Sequence, residues 1–266
     1  MTLENVNIDD LVEIWNRCWQ GYYYDMAYTR EHMRFWLELG QVVLANSLAI
    51  CTQNQIVGFA LLAVSNDEGW IAGTCIDPNY RGKGLFAPLM RSQLDLAARS
   101  GLKKVYLEVL TQNHAQKVYQ TVGFTNIRQL QIFRIGAEMN ISAQLTKTSP
   151  IKQVLLPEYF ENRKRASFNP AWQRRQGYLE RYGKTTALIN SEGTAGILIS
   201  PKKNAPLLDV WGSTAIGAEE IISIAFHIRS QGFSLINQPE DWIVAVLRVK
   251  GIKPNAQQYE MCIELV

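Results

Sequence analysis

Apolar residues recur along the first forty positions with a helical period. Ile8, Leu11, Val12, Ile14, Trp15 and Trp19 fall on one broad face and predict a helix that Asn7 or Asp9 can cap. Gly21-Tyr22-Tyr23-Tyr24-Asp25 breaks the period and reads as an aromatic loop: surface aromatics, or one wall of an acceptor pocket. A second helix is expected from Thr29, as N-cap, to Leu39. The pattern then shortens to strands. Ser47 to Thr52 and Ile56 to Ser65 flank Gln53-Asn54-Gln55 as a hairpin, and Trp70 to Ile76 follows the turn Asn66-Asp67-Glu68-Gly69. Asp77-Pro78-Asn79-Tyr80 turns into Arg81-Gly82-Lys83-Gly84-Leu85-Phe86. A helix-like segment then runs to about Ser100, with Phe86, Leu89, Met90, Leu94 and Ala97 on its apolar face and Pro88 in the first turn, where no helical partner is lost. Val105 to Leu110 reads as a strand, Asn113 to Val122 as a helix, and Phe124 to Arg134 as a return strand. Three strands joined by tight turns, then strand–helix–strand, predict an α+β fold with a mixed sheet, not a doubly wound one.

The second half repeats this order. Val57-Gly58-Phe59 has a counterpart in Ala195-Gly196-Ile197, Ser100-Gly101-Leu102 in Gln231-Gly232-Phe233, and Val122-Gly123-Phe124 in Lys250-Gly251-Ile252. The glycine-to-glycine offsets fall from 138 to 131 to 128. The second copy is therefore shorter between its second strand and the end of its main helix, where the first copy carries Arg81 to Phe86. Val210 to Ala215 runs almost directly into a helix from Ile216 to Arg229, and the position of Tyr119 is taken by Leu247. The expectation is a duplicated fold with one disabled site. Its parts are residues 1–146 and a degenerate copy at 147–266, an intrachain pseudo-dimer.

Composition bounds the chemistry. The 266 residues are 47% hydrophobic and 19% charged, with a formal net charge of +3, which does not itself point to nucleic acid or an anionic membrane. Cys18, Cys51, Cys75 and Cys262 lie far apart with no metal-ligand spacing, so reduced thiols in a cytoplasmic protein and no metal site are expected. No apolar run nears a membrane span and no signal peptide is visible. Glu161 to Lys184 is basic, with Phe168, Trp172, Tyr178 and Tyr182 interleaved. Phosphate contacts with stacking are one reading; an amphipathic helix with its aromatics toward the core is the expectation, and a nucleic-acid partner is not.

The turn at Arg81 to Phe86 is where chemistry concentrates. Gly82 and Gly84 leave backbone amides unobstructed, a helix N-terminus adds partial positive charge, and Arg81 and Lys83 add full charges. A diphosphate is the natural guest. No Walker A loop is present. Gly82-x-Gly84-x-x-Ala87 matches a dinucleotide fingerprint, but Asp77 to Arg81 separates it from its strand and no repeating strand–helix–strand sheet surrounds it. Arg81-Gly82-Lys83-Gly84-Leu85-Phe86, followed by Asn113-x-Ala115-x-x-x-Val118-Tyr119-x-x-x-Gly123-Phe124, resembles the GNAT family of N-acetyltransferases, element by element over residues 8 to 134. Phe86 departs from the small residue that closes the family's acyl-CoA loop, and Met1 to Val6 shows no evident first strand.

The resemblance implies a duplicated acyl-CoA N-acyltransferase fold and direct transfer of acetyl from acetyl-CoA to a small-molecule or peptide amine. It implies a pyrophosphate on the amides of Gly82 to Phe86, a pantetheine arm along Thr74, Cys75 and Ile76, where the parallel strands splay, and Asn113 holding the arm or the strand end. Tyr119 would protonate the departing thiolate, since a phenol is protonated at neutral pH and donates as charge forms on sulfur. The base is open: Glu108 on the adjoining strand is the first candidate, with Thr74, Asp25 and the 22–24 tyrosines behind it. Cys75, without a paired histidine, is not expected to be a nucleophile. A non-catalytic acyl-CoA-binding module and a nicotinamide dehydrogenase are the competing readings.

Overall fold

Asn7 caps the first helix by accepting from the amides of Asp9 and Asp10, and Thr29 caps the second by accepting from the amide of His32. Each such cap is worth about 1 kcal/mol of helix stability. The helices are α1 (Ile8–Cys18) and α2 (Arg30–Gly40). The chain was studied as a computed structural model that describes residues 1–137, 150–166, 169–201 and 206–265. The hairpin expected next is present as β1 (Leu48–Thr52) and β2 (Gln55–Ser65), followed by β3 (Glu68–Ile76), all antiparallel. The main helix α3 (Phe86–Arg99) leads to β4 (Lys104–Leu110), which lies parallel to β3. Then come α4 (Ala115–Thr121) and β5 (Thr125–Gly136). In place of a first strand, Thr2 makes a single bridge to Leu48.

The second half runs β6 (Ile151–Val154), α5 (Leu156–Arg163), α6 (Gln176–Glu180), β7 (Thr186–Asn190), β8 (Ala195–Ile199), β9 (Leu207–Gly212), α7 (Ala215–Ile228), β10 (Gly232–Pro239), α8 (Trp242–Val249) and β11 (Ala256–Glu264). From the paired helices onward this is the order of the first half. Residues 77–85 separate β3 from α3, whereas only residues 213–214 separate β9 from α7. Thr214 caps α7 by accepting from the amide of Gly217, so in this copy the protein itself fills the helix end.

The chain forms two compact units, residues Met1–Ile127 with Glu260–Val266, and residues Arg128–Tyr259. The division expected at residue 146 falls outside the described residues. In the first unit the strand order is β1-β2-β3-β4 followed by the end of β11. The amide of Leu265 donates to the carbonyl of Lys103, and Glu264 pairs with Lys104 at 2.9 Å. In the second unit the body of β5 pairs antiparallel with β10, beside β9, β8, β7 and β6. Each unit therefore takes a strand from the other half of the sequence.

In the first unit, α1 and α2 cover one face of the sheet through Leu11, Ile14, Trp15, Cys18 and Met33, packed on Phe59, Leu61 and Cys75. A Cβ at Gly73 would come within 2.7 Å of the Trp15 ring, so glycine there lets the helix approach. In the second unit, α7 and α8 pack Ile221, Ile222, Ala225, Ile243, Val244 and Leu247 on Ile197, Val210 and Leu235.

The basic stretch from Glu161 to Lys184 is not one solvated helix. It comprises the end of α5, a short 3-10 turn at Trp172–Arg174, and α6. Trp172 and Tyr178 are buried, as the core reading expected, while Phe168 lies outside the described residues. Two of its arginines are also buried. Arg163 and Arg174 pair with Asp209 of β9 at 2.7 and 2.6 Å, and the Tyr159 hydroxyl donates to the same carboxylate. Those cations are spent inside the second unit and offer nothing to a phosphate backbone.

Candidate active site

The site is built at the C-terminal end of β3. Pairing of β3 with β4 is confined to Glu68, Gly69 and Trp70 opposite Lys104, Val105 and Tyr106. Beyond them β3 runs on to Ile76 and β4 to Leu110 without a shared ladder, so the two strands splay. On its other edge β3 carries an irregularity, with Leu61 opposite Gly73 and Leu62 opposite Ile71, a bulge at Ala72 of the kind that re-aims strands beside sites. The splay leaves the β4-side edge of β3 beyond Trp70 without a strand partner, with the Ile76 carbonyl at its end taken by Arg81.

The glycine turn follows. Asp77, buried, accepts from the amide of Asn79 and pairs with Arg17 of α1 at 2.9 Å, which fixes where the turn starts. Gly82 and Gly84 have φ of +73° and +75°, a left-handed backbone that favours glycine. A Cβ built at either meets nothing within 4 Å, so both face open space. No side chain caps α3, and the first amides of a helix have no acceptor within it. The result is an open set of backbone donors at a positive helix end, suited to a diphosphate. Lys83 is exposed with its ammonium 4.6 Å from the centre of the Tyr80 ring, at the rim of this cradle.

Several expected residues are placed differently. Arg81 turns its guanidinium back into the protein: Nε donates to the Ile76 carbonyl at 3.0 Å, and Nη2 to the carbonyls of Cys18 and Gln20 at 2.8 and 3.1 Å. Thr74 donates its hydroxyl to the Phe59 carbonyl at 2.7 Å. Cys75 donates its thiol to the Cys18 carbonyl at 2.6 Å, and burial pushes its pKa up to about 11. A thiol buried in this way is mostly protonated and a weak nucleophile at neutral pH.

Tyr119 stands on α4, buried, with its ring edge-on to Phe86 at 5.4 Å and to Phe124 at 5.8 Å. Phe86 thus packs toward Tyr119, which accounts for a large residue at the end of the loop. Burial raises the Tyr119 phenol well above its ordinary value, and the nearby Tyr22 and Cys75 add to the shift. Among the described residues no hydrogen bond reaches its hydroxyl. Asn113 accepts from the amide of Ala115 at 2.9 Å at the start of α4, and its side chain lies close to the Tyr22 phenol. Burial raises the Tyr22 phenol, and the nearby Asn113 amide partly opposes the rise. Glu108, half-buried on β4, accepts from the Trp70 indole at 2.6 Å, which fixes its carboxylate.

The aromatic loop packs beside this centre through Tyr22. Tyr22 stacks edge-on to Trp19 at 4.6 Å, and the Tyr23 hydroxyl donates to the Gln112 carbonyl at 3.2 Å. The structure brings Tyr22, Tyr119, Cys75 and Asn113 together. Sequence reading had Tyr22 only as one of a loop of tyrosines, because nothing in its local pattern marks the contact with Asn113, 91 positions later. Among the described residues no cluster of His, Cys, Asp or Glu could hold a metal ion, and no helix is long and apolar enough to cross a membrane.

Residues 8–124 match the model of the acetyltransferase (GNAT) family. The ribosomal-protein bS18-alanine N-acetyltransferase of Haemophilus influenzae is 30% identical over 81 residues, which are 30% of this chain and 56% of that protein. The match thus spans little more than half of that curated relative's length. Among solved structures, a GCN5-related N-acetyltransferase from Anabaena variabilis has a TM-score of 0.66 at 14% identity, covering 100% of this chain and 72% of that one. A tandem GNAT protein from the clavulanic acid biosynthesis pathway has a TM-score of 0.65 at 10% identity, covering 97% and 95%. At such identities the likeness is one of fold. The first half of this chain is thus similar to the GNAT family, and the whole has the fold seen in a tandem GNAT protein, with only residues 213–214 between β9 and α7.

Proposed function

We infer that this protein is an acetyl-CoA-dependent N-acetyltransferase that acts by direct transfer to a primary amine. The observation that carries the reading is Tyr119: a buried phenol, held neutral by its surroundings, whose hydroxyl is left without a protein partner beside the splayed strands. A purely structural tyrosine in such a place has a hydrogen-bond partner or is a phenylalanine.

The open cradle fits the co-substrate. The amides of Gly82 to Phe86 hold its diphosphate, Lys83 adds charge at the rim, and the backbone of Thr74 to Ile76 takes the extended arm as a further strand. Asn113 holds the end of β4 in place. When bound, acetyl-CoA supplies an activated thioester. The amine nitrogen forms the new C–N bond as the C–S bond breaks. Tyr119 gives its proton to the departing sulfur, and Glu108, oriented by Trp70, takes the proton the amine loses, directly or through water. The products are an N-acetylated amine and CoA.

Relatives named as ribosomal-protein alanine N-acetyltransferases make a peptide with an N-terminal alanine the first acceptor to try. Aromatic walls from Trp19 and Tyr22 suit a chain laid across the splay. The test is release of free CoA thiol from acetyl-CoA against a panel of alanine-, serine- and methionine-initiated peptides and small amines. Acceptor-dependent thiol release supports the reading. Tight acetyl-CoA binding without turnover across the whole panel overturns it in favour of a non-catalytic acyl-CoA-binding module.

A further inference from the structure

Arg81 opens the glycine turn, and its charge invites a phosphate. Its guanidinium is committed elsewhere. It reaches the last carbonyl of β3 at Ile76, the last carbonyl of α1 at Cys18, and the carbonyl of Gln20 in the aromatic loop. The C-terminal carbonyls of α1 are orphan acceptors at the negative end of a helix, so a guanidinium there is doubly favoured. Two further ties hold the same region. Arg17 of α1 donates to Asp77 at 2.9 Å and to the Ile56 carbonyl at 2.6 Å, and the Tyr23 hydroxyl donates to the Gln112 carbonyl. Arg81 differs from both in being covalently next to Gly82. A shift in the glycine turn is a shift in the anchor of the aromatic wall.

We propose that Arg81 is a positioning residue that couples the acyl-CoA turn to the acceptor wall, so that occupancy of the turn orders residues 19–25 and prepares the amine site. This rests on the acetyltransferase reading for its kinetic consequence, though not for its structural one. The wall carries Tyr22, which packs edge-on against Trp19 and lies close to Asn113 and Tyr119, so order in the loop passes directly to the groups around Tyr119. Arginine suits the place because the three carbonyls are met from two nitrogens of a planar fork, Nε and Nη2, whereas a lysine ammonium offers its three donors from one nitrogen.

The test compares Arg81→Gln and Arg81→Lys with the unaltered protein, with Tyr23→Phe as a milder cut in the same wall. Calorimetry gives the acetyl-CoA Kd, amide hydrogen exchange follows residues 19–25 with and without acetyl-CoA, and steady-state rates give the acceptor KM and kcat. Coupling of this kind typically spans about 5- to 150-fold. In Arg81→Gln the expected outcome is an acetyl-CoA Kd within about twofold of the parent and an acceptor KM raised about tenfold. Exchange in the loop becomes fast and no longer slows on adding acetyl-CoA. Arg81→Lys recovers only part of this, and Tyr23→Phe shifts KM in the same direction by less. An acetyl-CoA Kd raised tenfold with loop exchange unchanged overturns the proposal and makes Arg81 a phosphate ligand. Equal loss of kcat and stability in both variants, with unaltered acceptor KM, overturns it in favour of a plain structural clamp. If no acceptor is turned over by the parent protein, the exchange measurement still decides the coupling, while the failure of turnover counts against the enzyme reading alone.

Discussion

Removing one oxygen from Tyr119 separates its chemistry from its packing. In Tyr119→Phe the ring and its edge-on contacts with Phe86 and Phe124 remain. What disappears is a hydroxyl in a buried site with no hydrogen-bond partner among the described residues. The phenol oxygen is not sealed from solvent, so its removal should leave the stability of the unliganded protein within about 1 kcal/mol of the parent. A change of about 1 kcal/mol corresponds to roughly 2–4 °C in Tm for a chain of this size. Activity should fall. Loss of a positioned acid typically costs about 10²- to 10⁴-fold, which is roughly 3–5 kcal/mol of barrier. Acetyl-CoA affinity should stay within about twofold, because a general acid acts in the transition state and not in the bound ground state. Thiol-release kinetics, calorimetric acetyl-CoA binding and a thermal melt on the same preparation measure all three. Full activity in Tyr119→Phe refutes the acid role. A melt lowered by several degrees refutes the claim that the hydroxyl lacks a partner.

Three other outcomes follow from the same geometry. Gly84→Glu puts a carboxylate into the cradle and an L side chain on a backbone at φ +75°, so calorimetry should show no acetyl-CoA binding in a protein that still folds; unchanged affinity removes the turn from the binding site. Burial raises Cys75 to about 11 and Cys18 to about 12, and lifts Tyr22, Tyr119 and Tyr159 as well. These groups keep their protons when folded and lose them more readily when unfolded, so their stabilisation is present at neutral pH and is lost as pH rises past about 9; a melting temperature that is flat or rising from pH 8 to 11 contradicts this. Deleting residues 260–265 strips the first unit of the strand beside β4, including fully buried Met261, at a cost of roughly 2–4 kcal/mol; an unchanged melt in the deletion variant shows that the strand is dispensable.

Much of the first unit is legible because its signals are local. The face of α1, the caps at Asn7 and Thr29, and the glycines at positions 82 and 84 each declare themselves within a few residues. The splay is partly legible, since a parallel pair flanking a glycine turn is a place where strands diverge. What sequence does not carry is the partner of a long-range bond. Arg81 reads as a phosphate ligand because its charge is visible, while the carbonyls of Cys18 and Gln20 that claim it are backbone atoms without a sequence signature. Arg163 and Arg174 read as a solvated basic face because Asp209, their counter-charge, lies 46 and 35 positions away. The same limit hides the exchanged strands. An alternating pattern states that β5 and β11 pair with something, and either register satisfies it.

That exchange bears on why a copy without a glycine turn persists. The second half has only residues 213–214 between β9 and α7, and its helix end is capped by Thr214. It still supplies Glu260 to Glu264, which lie beside β4, the strand that bears Glu108 and leads to Asn113 and Tyr119. An edge strand left open there would present unpaired backbone to solvent and to other chains. The salt bridge from Lys104 to Glu264 and the bond from Leu265 to Lys103 tie that edge down at the root of the splay. The second copy can therefore shed its own chemistry and still be required by the first, because what it contributes is main-chain pairing, for which any sequence that keeps the strand will serve. On this argument, substitutions on α7 that leave its core contacts intact should be silent in acetyl transfer, whereas a proline at Cys262 should impair it. A Cys262→Pro variant with parental kcat/KM and an unchanged melt would remove the reason given for the second copy's persistence.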